Sequence, residues 1–480
     1  MKSATKALVL LTALLCIVLA LAACDLGVIF GGDVTAAPDT TTTADTTTVM
    51  TTTVPPVTTS IGDPTDTSPL TDAEYEAFLS LVDADIVWTA EYAYNVYYIG
   101  EFRTVDECAE EIYDIIVNLP AVRAIADVDT ATALFVSAYA RALGDNYGYY
   151  YPPSDYEDYT EDMDGEYTGI GVSVTLLESG YAEILSVFAG SPAEDAGLWP
   201  GDILVAVEGE DFAVIGYSDA IDKIRGLVGT DVTITIERDG DRFDVTMTRR
   251  RVTEETVSYK MLSGNVGYIR ISSFDGTTYT QFVAAHRALD AQGAVSFVFD
   301  LRNNPGGTLT SVVSVLEYIL PDGDIVTMNY KIDGWDKVID SIYDINDPDE
   351  NNVRYMDTRT YCANHAITKP MVVLANGNTA SAGELFTSSL RDYEVATVIG
   401  EQTFGKGVGQ VSFDIGVDGA GLTLTIFSYD PPVQPNYHGI GITPDVSVSL
   451  SEEAAKKNLY KLPLEEDAQL LAALEVLGAR

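Results

Sequence analysis

Histidine is scarce: the 480 residues hold three, His286, His365 and His438, far apart from one another. A metal centre of clustered imidazoles has no raw material here, and no metal site is expected. A histidine base for a nucleophile is nearly as poorly supplied. His286 falls within a helical stretch and His365 in a polar one, where surface or capping roles are expected. His438, in Tyr437-His438-Gly439, precedes an expected strand and is the one candidate to keep. Cysteine is also sparse, at four, and none of the four has metal-ligand spacing. Basic side chains number 27 against 73 acidic ones, for a formal net charge of −46. Such a chain repels nucleic acid and anionic surfaces, so no nucleic-acid partner is expected and the excess reads as solubility of an exported protein. After residues 7–20 no stretch approaches the roughly 18 apolar residues of a membrane span.

What is present begins with a targeting segment: Lys2 and Lys6, the apolar run 7–20, then Leu21-Ala22-Ala23-Cys24. The small residues before Cys24 resemble a lipobox. That implies a lipoprotein signal peptide over 1–23, lipid on Cys24, and a chain anchored to the membrane on its extracytoplasmic face; an uncleaved anchor helix is the alternative. Residues 24–69, rich in Thr with Pro, Asp and Ala, cannot bury enough apolar surface to offset chain entropy and are expected to form a disordered stalk. From 70 to 151 the pattern turns helical, with Thr71-Asp72-Ala73-Glu74 as an N-cap and acidic first turn. This helical N-terminal module is amphipathic, which leaves monomer and homodimer open. Its tyrosines read as packing surface. Cys108 and Cys362 are left after processing, as a disulfide or as separate thiols.

Residues 164–251 change to strand periodicity. Gly169-Ile170-Gly171-Val172 opens the block, and a hairpin pairs 232–237 with 243–248 across Asp239-Gly240. Between them runs Ser191-Pro192-Ala193-Glu194-Asp195-Ala196-Gly197-Leu198-Trp199-Pro200-Gly201-Asp202-Ile203-Leu204. This string resembles the signature of PDZ domains, with Gly169, Ile170, Gly171 and Val172 where their carboxylate-binding loop lies. Successive unobstructed N–H groups can hold a peptide's terminal carboxylate, and an exposed strand edge can pair with its backbone. The helix expected over 218–225 would form the other wall. Trp199 stands where many relatives carry a basic residue, so any activation through that charge is in question.

Over 252–450 strands and helices alternate: strand Val266–Ile271, helix 278–292, strand 294–301, helix 308–320, strand 370–375. Three strand exits stand out. Asp300-Leu301-Arg302-Asn303-Asn304-Pro305-Gly306-Gly307 precedes one helix, and Asn376-Gly377-Asn378-Thr379-Ala380-Ser381-Ala382-Gly383-Glu384 another. A serine at a helix start is ordinarily a cap, yet its Oγ also lies where unpaired N–H groups and the helix dipole favour developing negative charge. The third exit is Gly400-Glu401-Gln402-Thr403-Phe404-Gly405-Lys406-Gly407-Val408-Gly409-Gln410. Its glycines let a lysine turn inward.

Lys406 follows Ser381 by 25 positions and Gln410 follows Lys406 by four. Over about 164–450 these segments resemble the carboxy-terminal processing (tail-specific) serine proteases. The resemblance implies Ser381 as nucleophile, Lys406 as its base and Gln410 as the residue orienting the lysine. It places the oxyanion between the N–H groups of Gly307 and Ala382 and needs no cofactor. An amine of ordinary basicity is protonated at neutral pH, so burial must depress Lys406, with Phe404 and Val408 the candidates to cover it. Asp392 matches an acidic residue of the family and is expected to position its helix; Arg302 and Asn303 are expected as buried hydrogen-bonders shaping the oxyanion loop. The fold class is multidomain: a helical module, a β-rich PDZ domain, an α/β (crotonase/ClpP-like) protease core, and a helical tail over 451–480. The expected substrates are polypeptides with accessible C-termini. An inactive peptide-binding scaffold and a crotonase-like enzyme are the rivals; the intact Ser381 and Lys406 weigh against the first, the targeting segment and PDZ block against the second.

Overall fold

The computed structural model describes residues 61–480 apart from 345–366 and short breaks at 178, 189, 239, 322, 333–334, 416–418, 434, 456, 458, 460–461 and 480. The signal peptide, Cys24, most of the stalk, Cys362 and His365 therefore lie outside the described residues.

The centre is a six-stranded sheet. Strand Val257–Leu262 runs antiparallel to Val266–Ile271, and from there Ser296–Asp300, Met371–Ala375, Ala396–Gly400 and Val446–Ser447 follow in parallel. Side chains alternate between its faces, as strand geometry requires. Ile269, Ile271, Phe297, Phe299, Val373 and Val398 point into one core with the helices Thr278–Ala291, Leu309–Ile319 and Ala382–Asp392. Val266, Tyr268, Val298, Val372, Leu374 and Ile399 point into the other, closed by helix Ala468–Val476. The strands read as continuous apolar runs because both faces are covered, so the helical tail completes the sheet. Arg302, 1% exposed, fastens it by pairing with Asp300 at 2.6 Å and Asp467 at 2.9 Å.

A second sheet joins the N-terminal helices to the core. Tyr149–Tyr151 pairs antiparallel with Gly421–Asp430, which also pairs with Val408–Asp414 and Asp324–Ile332. Leu422 and Leu424 from this sheet share one apolar cluster with Phe78, Tyr94, Ile112, Val136 and Tyr139 of the helices. Thr71 caps the first helix, its N–H donating to Glu74 at 2.8 Å. Several tyrosines of this region pack in the interior, as their spacing suggests: Tyr94 stands edge-on to Tyr98 and Tyr139. Cys108 is a buried free thiol.

Between helix Pro153–Asp164 and the central sheet lies a β-rich unit with its own core around Ile184, Leu204, Phe212, Val232 and Ile236. Its sheet runs Val172–Leu176, Ala182–Val187, Ile203–Val207, Asp231–Arg238, Asp241–Thr248, so Val172–Leu176 is an edge strand. The expected hairpin is present, with Ile236 opposite Phe243. Glu166–Gly169 pairs with Arg250–Thr253, bringing the unit's two ends together. No helix among the described residues is long and apolar enough to cross a membrane.

Candidate active site

The three glycine-containing exits leave three adjacent parallel strands, Ser296–Asp300, Met371–Ala375 and Ala396–Gly400, at their carboxyl ends. Open α/β sheets place ligands at this edge, because successive loops there converge without strand pairing to close the space.

Ser381 immediately precedes the buried helix Ala382–Asp392 with φ 53° and ψ −120°. A positive φ in a non-glycine residue costs about 1–3 kcal/mol and persists only where neighbours enforce it. Those neighbours are identifiable. Thr379 Oγ1 donates to the Leu301 carbonyl at 2.8 Å, and the Ala380 N–H to the Asn304 carbonyl at 2.9 Å. The Ser381 N–H donates to Glu384 at 3.0 Å.

Glu384 is fully buried, and its carboxylate also accepts from Thr403 Oγ1 at 2.5 Å, Gly405 N–H at 2.7 Å and Lys406 N–H at 2.8 Å. Burial pushes this carboxyl above the ordinary glutamate range, and the surrounding donors pull it back. One side chain thus clamps the Ser381 turn to the Lys406 loop. Its signal in the sequence was the S-x-x-E spacing of a capping box, which is common enough to pass as ordinary helix chemistry.

Lys406 is half-buried, its Nζ 4.4 Å from the centroid of the Tyr147 ring, and it makes no ion pair among the described residues. Burial holds the amine below its ordinary value, opposed by the charge of Asp145. The expected cover is different: Phe404 is 58% exposed. The Phe404 ring lies largely in solvent, and the aromatic over the amine, Tyr147, comes instead from the turn after the N-terminal helices. The Lys406 carbonyl accepts from the buried Tyr429 hydroxyl at 2.7 Å. Burial pushes that phenol up, and hydrogen bonding with the Ser381 side chain is among the opposing effects.

Gln410 lies at a bulge in Val408–Asp414, and its Nε2 donates to Thr425 Oγ1 at 3.0 Å. Thr425 Oγ1 in turn donates to Asp145 at 2.8 Å. Asp145, Tyr147 and Tyr429 had no motif around them, because each reaches the site only through tertiary contact.

On the opposite side, Gly306 donates its N–H to Asn304 Oδ1 at 2.8 Å and its carbonyl accepts from Phe274 at 2.8 Å. The N–H groups of Gly307 and Ala382 enter no hydrogen bond among the described residues. A Cβ on Gly306 would stand 2.7 Å from Ser381 Cβ and 3.0 Å from the Ala382 nitrogen, so this loop is pressed against the serine. Arg302 is the buried hydrogen-bonder expected of this segment. Asn303 is not: it is exposed at φ 62°, and the buried one is Asn304, whose Nδ2 donates to the Ile271 carbonyl at 2.9 Å. Asp392 ends the serine helix and accepts from the Val433 N–H at 3.1 Å. His438 accepts from the Gly407 N–H at 3.3 Å, a loop contact, and His286 bonds Tyr318 at 2.9 Å instead of facing solvent.

In the β-rich unit, Gly169 ends its strand, Ile170 is buried, Gly171 has φ 77°, and Val172 starts the edge strand. The Gly171 carbonyl accepts from Phe188 at 3.0 Å, and a Cβ on Gly171 would meet Ser191 Cβ at 2.3 Å. Helix Tyr217–Ile224 packs its Ala220 and Ile224 into the same core. Trp199 is 64% exposed.

Comparison with known proteins gives two family matches: peptidase family S41 over residues 265–448 and a PDZ domain over 183–238. A carboxyl-terminal-processing protease of Synechocystis is 33% identical over 334 residues, 68% of this chain and 72% of that protein. One of Bartonella bacilliformis is 32% identical over 298 residues, 61% of this chain and 64% of its own length. Among solved structures, a putative S41 protease from Bacteroides fragilis shares the fold at TM-score 0.50 and 18% identity, over 82% of this chain and 97% of that one. On this sequence similarity the chain belongs to the S41 peptidases, in the family of carboxyl-terminal-processing proteases that carry a PDZ domain.

Proposed function

We propose that the protein is an extracytoplasmic serine endopeptidase that captures polypeptide C-termini on its PDZ domain and cleaves through an acyl-enzyme. Ser381 Oγ attacks the scissile carbonyl while Lys406 Nζ takes its proton. The oxyanion is held between the Gly307 and Ala382 N–H groups. Collapse expels the amine, which leaves with the proton from Lys406; water, activated by the same amine, then hydrolyses the ester. Gln410 acts on this pair through Thr425. The core is read as crotonase/ClpP-like, and the chain as tethered by lipid on Cys24.

The observation that carries the reading is the Glu384 clamp, which accepts from the backbones of both Ser381 and Lys406. A serine that merely capped a helix would not need its strained turn tied to the backbone of a half-buried lysine. The test is cleavage of an unstructured protein by wild type, Ser381→Ala and Lys406→Ala. Loss of roughly 10³-fold or more in both folded variants is expected. Activity surviving in either one overturns the assignment.

For capture, successive N–H groups of Gly169, Ile170, Gly171 and Val172 would bind the terminal carboxylate beside the edge strand Val172–Leu176.

A further inference from the structure

We infer that Asp145, supplied by the N-terminal helical region, is the electrostatic partner of Lys406 and stabilises the ammonium formed when Lys406 takes the proton of Ser381. This rests on the reading of Lys406 as the base.

Asp145 lies in the turn after helix Val128–Ala142 and is 2% exposed. One oxygen accepts from the Thr425 N–H at 3.0 Å and the Tyr94 hydroxyl at 3.2 Å; the other accepts from Thr425 Oγ1 at 2.8 Å and the Tyr147 N–H at 3.1 Å. All of these donors are neutral. Asp145 has no ion pair among the described residues, so its charge is held in place and not cancelled. Two residues on, Tyr147 lays its ring over the Lys406 ammonium. The same turn therefore supplies both the cover that keeps water from the amine and the anion that compensates for the missing water.

The other groups facing Lys406 do not fill this role. Glu384, from the serine helix, meets Lys406 at its backbone N–H, and its charge is not among those acting on the amine. Tyr429, from Gly421–Asp430, stays a neutral phenol bonded to the Lys406 carbonyl. His438, from the following loop, accepts from Gly407. Asp145 is the group whose charge raises the basicity of Lys406 against burial.

The chemistry requires such a group. Proton transfer turns a neutral hydroxyl and amine into an oxyanion and an ammonium; the oxyanion has two N–H donors, while an ammonium sheltered from water is costly without a nearby negative charge. Asp145 also keeps the amine basic enough to accept the proton. Gln410, bonded to Thr425, braces the same carboxylate. Asp145 is thus a positioning residue acting on the base through space.

Two readouts test this on the full chain. One is the pH dependence of kcat/KM; the other, independent of turnover, is competitive acetylation of Lys406 with acetic anhydride across pH, read by peptide mass spectrometry. Asp145→Asn should move the Lys406 labelling midpoint and the acid limb to lower pH and reduce kcat about tenfold or more. Thr425→Val keeps the carboxylate but removes one donor that tempers its charge, and should move both to higher pH. A merely structural role would move neither, or both variants in one direction, and would overturn the inference. If Asp145→Asn does not fold, the sign for Thr425→Val decides. If the labelling midpoints move as expected but the wild-type acid limb does not track them, the electrostatic link stands and the assignment of Lys406 as base falls.

Discussion

At the scale of single residues, the site depends on two ionisable groups whose environments work against their solution behaviour. Lys406 is half-buried with no ion pair among the described residues, and burial lowers its affinity for a proton. As the proposed base Lys406 must be neutral to act, so on that reading activity should be lost as pH falls through its depressed value. The acid limb should therefore lie below the ordinary lysine value of 10.5, as a pH profile of kcat/KM would show. Glu384 instead stays buried by satisfying several donors at once. Glu384→Gln replaces one accepting oxygen with an amide that donates, so some of the donors on Ser381, Thr403, Gly405 and Lys406 lose their acceptor. The expected cost is about 1–3 kcal/mol of stability, read by urea unfolding. The loss in kcat should be larger, about 100-fold, because Ser381 and Lys406 both lose their registration.

At the scale of elements, the site is three loops at the ends of three parallel strands, and their mutual approach is closer than side chains permit. Gly306 at φ 109° places its α-carbon where a methyl group would collide with Ser381 Cβ and crowd the Ala382 nitrogen. Gly306→Ala should push the first loop off the serine helix and separate the Gly307 N–H from that of Ala382. Acylation by an active-site titrant should fall at least about 100-fold, while circular dichroism stays that of a folded chain. The strained φ of Ser381 belongs to this scale too, since it is enforced by contacts from Leu301 and Asn304 on the neighbouring loop.

At the scale of the molecule, the helical N-terminal region is part of the protease and not an appendage. Tyr149–Tyr151 completes a sheet with Gly421–Asp430, and Leu422 and Leu424 are buried against the helices. A chain lacking residues 61–152 should expose that apolar face and remove Asp145 and Tyr147 from Lys406. It is expected to aggregate, or to fold without peptidase activity, in sedimentation and cleavage assays. By contrast the PDZ unit closes on its own core, its two ends paired through Glu166–Gly169 and Arg250–Thr253.

The sequence alone determined the parts that depend on local pattern. Alternating apolar strands, capped helices, the hairpin after residue 238 and the PDZ string were all legible, because each is written in neighbouring residues. The family followed from the same segments, and the comparisons agree. Tertiary structure decided what stands around the amine and what joins the loops. Phe404, two positions before Lys406 in the chain, lies largely in solvent, while Tyr147 and Asp145 arrive from a distant helix turn. Asn304 is the buried anchor of the Gly306-Gly307 loop, while the exposed Asn303 ties it to Asn376 and Asn378. The helical tail likewise covers a sheet face through Asp467 and Arg302. Burial and charge are sums over everything within a few ångströms, and chain neighbours are a minority of what lies there.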